Sequence, residues 1–417
     1  MEVASYDVVV LGGGAAGFFA AIVCAEANPA LKVLLLERSS HVLAKVKISG
    51  GGRCNVTHAC FDPAQLVSYY PRGGAALRGA FSRFQPRDTV AWFEARGVLL
   101  KTEPDGRMFP VSNSSQTILE ALSKAAAASG VSVRLNAVVD ALSRDLAGEG
   151  FHLRLNFGEF VDARRLIIAT GSSPQGWEWA RALGHTVESP VPSLFTFTIK
   201  DPRLDGLSGL SVPQATVAID HTELRQSGPL LITHWGLSGP AVLKLSAWGA
   251  RILHGLSYQA SVHVNWMPDR TREQLMDHLR QLRLAQSRKT APGDNSFGLP
   301  RRLWARLAAA SGIPEGRRWA EVSNDHLKRF AEELQEGAYT MTGKSTFKEE
   351  FVTCGGVRLD EIDFKTMASK PCPGLFFAGE VLNIDGVTGG FNFQNAWTTG
   401  WLAGKGASEG FSTILPS

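Results

Sequence analysis

The earliest pattern in the chain is a continuous apolar run, Asp7-Val8-Val9-Val10-Leu11, with no polar alternation. Such a run predicts a strand covered on both faces, as in a parallel sheet. Gly12-Gly13-Gly14-Ala15-Ala16-Gly17 follows at once, and Ala15 to Ala27 is alanine-rich with apolar residues at helical spacing until Asn28-Pro29 stops it. Lys32 to Leu36 predicts a second buried strand, ending at Glu37. Further along, periodicity predicts helices over Arg87 to Arg96 and Ser115 to Ser129, a strand over Val131 to Leu135, and a buried strand Leu166-Ile167-Ile168. Near Ser189-Pro190-Val191-Pro192 the pattern changes to short alternating strands, among them Leu194 to Ile199, Ala215 to Ile219, Leu230 to Thr233 and Ala260 to Asn265. Pro268 to Glu336 is helical and arginine-rich, broken at Pro292-Gly293-Asp294. The chain then returns to a buried strand, Pro373 to Phe377, and a last helix, Phe393 to Leu402.

This order predicts an α/β protein. A Rossmann-like dinucleotide domain is expected from 1–193 and 346–417, an inserted β domain, barrel-like or sandwich, from 194–267 and 337–345, and a small helical subdomain from 268–336. A chain of 417 residues exceeds what one core usually serves, so more than one domain is expected. With 44% hydrophobic and 20% charged residues, a disordered, collagen-like or coiled-coil chain is excluded. The longest apolar runs fall well short of the roughly 20 residues of a membrane-spanning helix, so no membrane association is expected. Met1 to Asp7 lacks a basic secretory n-region, and a cytoplasmic location is expected. Cys24, Cys54, Cys60, Cys354 and Cys372 are odd in number and scattered, which points to free thiols and no metal site. The net charge of +4 is weakly suggestive of an anionic ligand and gives no reason to expect a nucleic-acid partner.

The chemistry begins with the glycines. Gly12 permits a tight turn, Gly14 lets backbone approach a pyrophosphate, and Gly17 lets helix pack closely on strand. Ala15 and Ala16 open a helix whose unpaired N–H groups and dipole favour the phosphates. Glu37, with Arg38 beside it, stands twenty residues after Gly17, where a dinucleotide fold places an acid on a ribose hydroxyl. An acid there favours an unphosphorylated ribose, hence FAD or NAD. The far end of the chain decides between them. Leu375-Phe376-Phe377-Ala378-Gly379-Glu380 resembles the second FAD fingerprint of the glutathione-reductase-like flavoproteins, which implies that Glu380 receives a ribityl hydroxyl. The resemblance extends to the Ala169-Thr170-Gly171 turn, to Val138 as a backbone contact for adenine, and to Gly389, Gly390, Phe391 and Asn392 opening a helix toward the flavin. No second G-x-G-x-x-G follows Gly171, so NAD(P)H is expected only as a transient electron donor.

The stretch Lys45-Val46-Lys47-Ile48-Ser49-Gly50-Gly51-Gly52-Arg53-Cys54-Asn55-Val56-Thr57-His58 resembles the signature of the BaiN-like, aminoacetone-oxidase-like family of bacterial flavoproteins. Gly106-Arg107-Met108-Phe109-Pro110, Thr233-His234-Trp235-Gly236-Leu237-Ser238-Gly239-Pro240, Val352 to Val357 and Gly379 to Gly400 match that family's blocks in order. The likeness spans nearly the whole chain except about 269–335. Leu43-Ala44, Cys354 and Asn383 depart from its usual residues. It implies an FAD-dependent oxidoreductase acting on a small molecule, either oxidising an amine such as aminoacetone with oxygen or reducing an enone with NAD(P)H. The missing second nucleotide motif tilts the expectation toward the oxidase. Lys45, Ser49, Gly50, Gly51, Arg53, Cys54 and Asn55 are expected at the cofactor, with Arg53 a bidentate donor and Cys54 an inert thiol. Arg107, as a carboxylate or carbonyl clamp, and His234, as a base or orienter, are the candidate catalytic residues. A flavin-dependent RNA-modifying or RNA-binding protein is a rival reading, resting on the arginine-rich segment, and a flavin-holding protein without turnover is a third. Oligomeric state is not legible. Gly236 to Pro240 misplaces the last glycine of a hydrolase elbow, and Gly343-Lys344-Ser345 lacks a P-loop glycine at the right spacing.

Overall fold

The computed structural model describes residues 3–145, 148–293, 297–345 and 352–411. The chain forms two compact units, residues 1–191 with 352–417, and residues 192–351. The expected return to the first domain at 346 falls in 346–351, outside the described residues.

In the first unit the apolar runs become the middle of a sheet. Ala4–Leu11 lies between Val33–Leu36 and Phe160–Ile168, all parallel, with Ser132–Arg134 beyond the former and Leu375–Phe377 beyond the latter. Val8 to Leu11 and Val33 to Leu36 are buried throughout, which is why neither run alternates. Register aligns the carboxyl ends in one row: Leu11 pairs with Leu36 and with Ile168, and Ile168 pairs with Phe377. The segments that follow those ends therefore emerge side by side, although they are far apart in sequence. Open parallel sheets bind ligands at this edge.

Two helices cover one face of this row. Ala15–Ala27 is buried on nearly every side. Against it lies Phe391–Ser408, longer at both ends than the predicted Phe393 to Leu402. A Cβ on Gly400 would stand 2.8 Å from the Ala16 carbonyl oxygen, and one on Gly404 2.5 Å from that of Ala20. Glycines that look like helix breakers in the sequence thus allow close helix contact. Elsewhere the expected elements lie within a few residues of their positions: Pro86–Glu94, Ser115–Ala128 and Ser132–Arg134.

In the second unit six antiparallel strands close into a barrel, in the order Phe197–Ile199, Gly236–Ser238, Arg225–Thr233, Ser211–Ile219, Ala260–Asn265 and Gly337–Lys344. Pro240–Trp248 and Ala250–Gly255 follow the strand Gly236–Ser238, and Arg272–Ala285, Arg301–Ala310 and Asn324–Glu336 are the helices of the later segment. Barrel and helices share one buried cluster that includes Val262, Trp266, Leu279, Trp304 and Phe330. Gly343 and Lys344 end a barrel strand, not a phosphate-binding loop. Among the described residues no helix is long and apolar enough to cross a membrane.

Candidate cofactor site

The glycine loop has the geometry its sequence demands. Gly12 takes φ +111°, and a Cβ there would lie 2.5 Å from the Ala169 carbonyl oxygen. At Gly17 a Cβ would collide with the Gly12 carbonyl oxygen, whereas nothing lies within 4 Å of one built on Gly14. Gly14 caps the helix Ala15–Ala27 without a side-chain bond, so the first-turn N–H groups stay available to an anion. Ala15 is half-buried and Ala16 buried.

Glu37 is held by two backbone donors: Gly13 N–H reaches Oε2 and Ser39 N–H reaches Oε1, each at 2.8 Å. Its carboxylate is therefore fixed beside the glycine loop. A cleft runs past it, lined by Gly12, Glu37, Arg38, Ala137, Val139, Thr170, Ser173, Gln175 and Trp179. Val138 reaches this cleft only through its neighbours. Its N–H donates to Asn156 Oδ1 at 3.2 Å, and its carbonyl accepts from Asn156 N–H at 2.8 Å. Ala169 closes on Gly12, Gly171 takes φ +61°, and the buried Thr170 Oγ1 has no hydrogen-bond partner among the described residues.

Glu380 and Gly379 arrive at the same edge from the end of Leu375–Phe377. Gly379 takes φ +78° and would press a Cβ to 2.7 Å from that of Ala16. Glu380 accepts from Lys45 Nζ at 2.5 Å and from Thr353 N–H at 3.0 Å. Lys45 is the more exposed partner, which makes this pair readily exchangeable.

A second group adjoins through the segment Ala44–Gly52. It is helical only in part, since Ser49 is extended and Gly50, Gly51 and Gly52 take φ of 57°, 68° and 80°. Arg53 lies over the Phe109 ring at 4.0 Å and pairs with Glu103 at 2.7 Å. Arg107 shares Glu103, at 3.2 Å, and adds Asp105 at 2.7 Å, so the expected clamp is already engaged by two carboxylates. Cys54 is fully buried, and burial pushes its thiol up to about 12 against a weaker opposing bond from Ser49. A protonated, enclosed thiol is inert.

Asn55 joins this loop to the C-terminal helix. With its amide nitrogen on the Thr57 carbonyl (3.0 Å), its oxygen accepts the Gly390 N–H at 2.9 Å. Gly389 and Gly390 take φ of 133° and 97°, and a Cβ on Gly390 would meet the Thr57 carbonyl oxygen at 2.5 Å. Phe391 stacks on Tyr69 and His58, at 4.3 and 4.6 Å between ring centroids. Asn392 spends its amide on both backbone groups of Gly386.

His234 belongs to the other unit. It stands exposed on the barrel turn between Arg225–Thr233 and Gly236–Ser238, edge-on to Trp235 at 4.1 Å, with no hydrogen bond from its ring among the described residues. The sequence reading missed Asn156, Gln175, Trp179 and Thr353. Gln175 donates to the Val139 carbonyl at 2.7 Å and comes from a helix, Pro174–Ala182, whose first-turn proline was the available signal. Trp179 shares that helix, Thr353 lies within the Val352 to Val357 block, and Asn156 carries no local signal.

The first unit fits an FAD. It offers an open approach at Gly14, uncapped helix N–H groups, a fixed carboxylate at Glu37, an unpartnered Thr170 hydroxyl in the cleft and a second carboxylate at Glu380. Comparison with known proteins agrees. A family model described as the HI0933-like protein Rossmann domain matches residues 6–406. The chain is 31% identical to the ribosomal RNA dihydrouridine synthase of Escherichia coli (strain K12), over 96% of this chain and 97% of that protein. It is 28% identical to the 3-dehydro-bile acid delta(4,6)-reductase of Clostridium scindens, over 96% and 98%. Its fold resembles that of the 3-ketosteroid-delta4-(5alpha)-dehydrogenase of Rhodococcus jostii RHA1, with a TM-score of 0.54 at 16% identity and 98% of both chains covered.

Proposed function

The chain belongs to the HI0933-like Rossmann family and is an FAD-dependent oxidoreductase, and from that premise we propose that it reduces a carbon–carbon double bond conjugated to a carbonyl, the favoured substrate being a uridine of ribosomal RNA. The observation that carries this reading is the chemistry common to the two relatives. Dihydrouridine is uridine with its ring double bond, conjugated to a carbonyl, saturated; the bile-acid relative is likewise named as reducing double bonds. Both likenesses run nearly end to end, and the first is the stronger. The net reaction adds a hydride to the carbon β to the carbonyl and a proton to the α carbon, oxidising one NAD(P)H to NAD(P)+.

Bound FAD supplies the two-electron chemistry. The chain's own residues supply position. Gly12, Gly14 and Gly17, with the N-terminus at Ala15 and Ala16, hold the pyrophosphate; Glu37, with Arg38 beside it, holds the adenosine ribose. Thr170 lines the cleft, flanked by Ala169 and Gly171, and Val138 would serve adenine between Ala137 and Val139, which line it too. Gly379 and Glu380 would hold the ribityl chain, Glu380 being paired here with the exposed Lys45. Ser49, Gly50, Gly51, Arg53, Cys54 and Asn55 form the wall continued by Gly389, Gly390, Phe391 and Asn392. Arg107 orients the carbonyl by releasing Asp105, the more exposed of its partners.

A second reading, oxidation of a small amine, is favoured by one observation: after Gly171 the chain enters the helix Pro174–Ala182 and offers no second dinucleotide fingerprint. One anaerobic experiment separates the two. NADPH, NADH and aminoacetone are added separately to the holoprotein, followed by protein-free E. coli ribosomal RNA and nucleoside mass spectrometry. The expected result is bleaching by a nicotinamide, and reoxidation by RNA whose uridine gains two hydrogens. Bleaching by aminoacetone alone overturns it.

A further inference from the structure

The charges of the helical part of the second unit alternate in sign along the sequence, which suggests a neutral solvated surface. Folding separates them. On the helices Arg272–Ala285 and Asn324–Glu336, cations meet carboxylates: Arg272 pairs with Glu332 at 2.6 Å and Glu336 at 3.5 Å, and Arg280 with Asp277 at 3.0 Å. Elsewhere the chain runs 287–293 antiparallel to 317–320. The Thr290–Arg318 bridge, Trp319 N–H on the Lys289 carbonyl (3.0 Å), Ala291 N–H on that of Arg317 (2.9 Å) and Ala320 N–H on that of Ser287 (3.1 Å) zip the two together. This ribbon brings Arg288 and Lys289 beside Arg317 and Arg318. Arg301 joins them, its guanidinium 3.8 Å from where a Cβ on Gly293 would stand.

None of these five cations makes an ion pair among the described residues. Two more on the same helix, Arg302 and Arg306, donate to the backbone carbonyls of Gly206 and Asp205 and make no ion pair among the described residues. Glu315 is the one carboxylate within 297–318, and Glu321 sits on the Arg318 N–H at 3.4 Å; Asp294 lies outside the described residues. The floor is rigid, because Ala291 and Trp319 are fully buried and Trp304 Nε1 donates to the Ala291 carbonyl at 3.0 Å. Gathering like charges without partners is unfavourable for the isolated fold. A polyanion relieves it.

We infer that this ribbon, with Arg288, Lys289, Arg301, Arg317 and Arg318, is a docking surface for the phosphate backbone of RNA. The inference rests on the ribosomal RNA reading above. It adds where the RNA is held and predicts that recognition there is by charge, since backbone contacts carry no sequence information.

The test uses the full-length holoprotein. Binding of fluorescein-labelled, protein-free E. coli ribosomal RNA fragments is followed by anisotropy across a salt series, for wild type, for the triple variant Arg288→Gln/Arg317→Gln/Arg318→Gln, and for Arg280→Gln as a single-charge control on the paired side. Flavin absorbance and melting temperature confirm folding. Removing three single-strand phosphate contacts is expected to weaken binding on the order of tenfold or more and to lower the slope of log Kd against log salt by about 2, with the control close to wild type. The same variant should reduce free uridine or a small enone as wild type does. Wild-type binding that the triple variant retains in full overturns the surface but leaves the RNA reading standing. Wild type that reduces enones yet has no salt-dependent affinity for RNA overturns both the surface and the RNA substrate. Wild type that binds RNA through the patch but reduces no double bond overturns the reductase reading alone. Patch-dependent binding to phosphatidylglycerol vesicles without RNA affinity assigns the patch to a lipid surface and overturns the inference.

Discussion

His185 and Cys54 show how the fold alters single side chains. The His185 side chain has no exposure; Nδ1 lies 2.9 Å from Glu361 and Nε2 2.7 Å from Ser369 Oγ, which also accepts the Cys372 N–H. Burial lowers its pKa, and the hydrogen bond and charge of Glu361 only partly oppose this. Below about 6.5 the unfolded chain therefore takes a proton that the folded chain resists. The stabilisation is complete above that pH and is lost as the pH falls through it. Thermal melts from pH 7.5 down to 5 should show a falling melting temperature, and His185→Gln should flatten the fall; parallel curves would contradict it. The sequence offered no hint of this, because Glu361 and Ser369 lie more than 170 residues away. Cys54 was legible as an inert thiol only because no nearby partner cysteine stood out. Its burial supplies the reason.

At the scale of elements, hydrophobic runs revealed the strands because a strand buried on both faces has no room for polar alternation. Helix ends were less legible. Phe391–Ser408 extends past Leu402 through Gly404 and Gly406, residues of poor helix propensity, because the close contact with Ala15–Ala27 outweighs that preference. Gly404→Ala should therefore destabilise by about 1–3 kcal/mol, since its Cβ would stand 2.5 Å from the Ala20 carbonyl oxygen and 3.0 Å from Cys24 N. Gly79→Ala, in an equally helical position with nothing within 4 Å, should stabilise by about 0.5–1 kcal/mol. Chemical denaturation of the two variants reads both signs. The buried polar bonds that pin the C-terminal helix were equally silent in sequence. Gln394 Oε1 accepts from Thr57 at 2.6 Å and Thr89 at 2.9 Å, and Trp397 Nε1 donates to the Val56 carbonyl at 2.9 Å.

For the whole molecule, the proposed FAD site joins residues near 12, 37, 138, 170 and 380, all within the first unit. A ligand bound across such separated segments stabilises only the folded arrangement. Adding FAD to stripped protein at about 100 times its Kd should stabilise the folded protein by about 2.7 kcal/mol. Calorimetry reads the shift, and an unmoved transition would argue against this site. The strand–glycine–helix unit, the acids at Glu37 and Glu380, the family signature and the change of pattern near 192 were all legible in the residues alone, because each is a local run whose spacing follows from strand, turn or helix geometry. Folding alone settled that the barrel closes, that Arg107 is held by Glu103 and Asp105, that Asn156 takes both backbone groups of Val138, and that cations alternating with acids along the chain gather on one ribbon without ion pairs among the described residues. Those outcomes depend on contacts between residues far apart in sequence, and periodicity carries no record of which distant segments will meet.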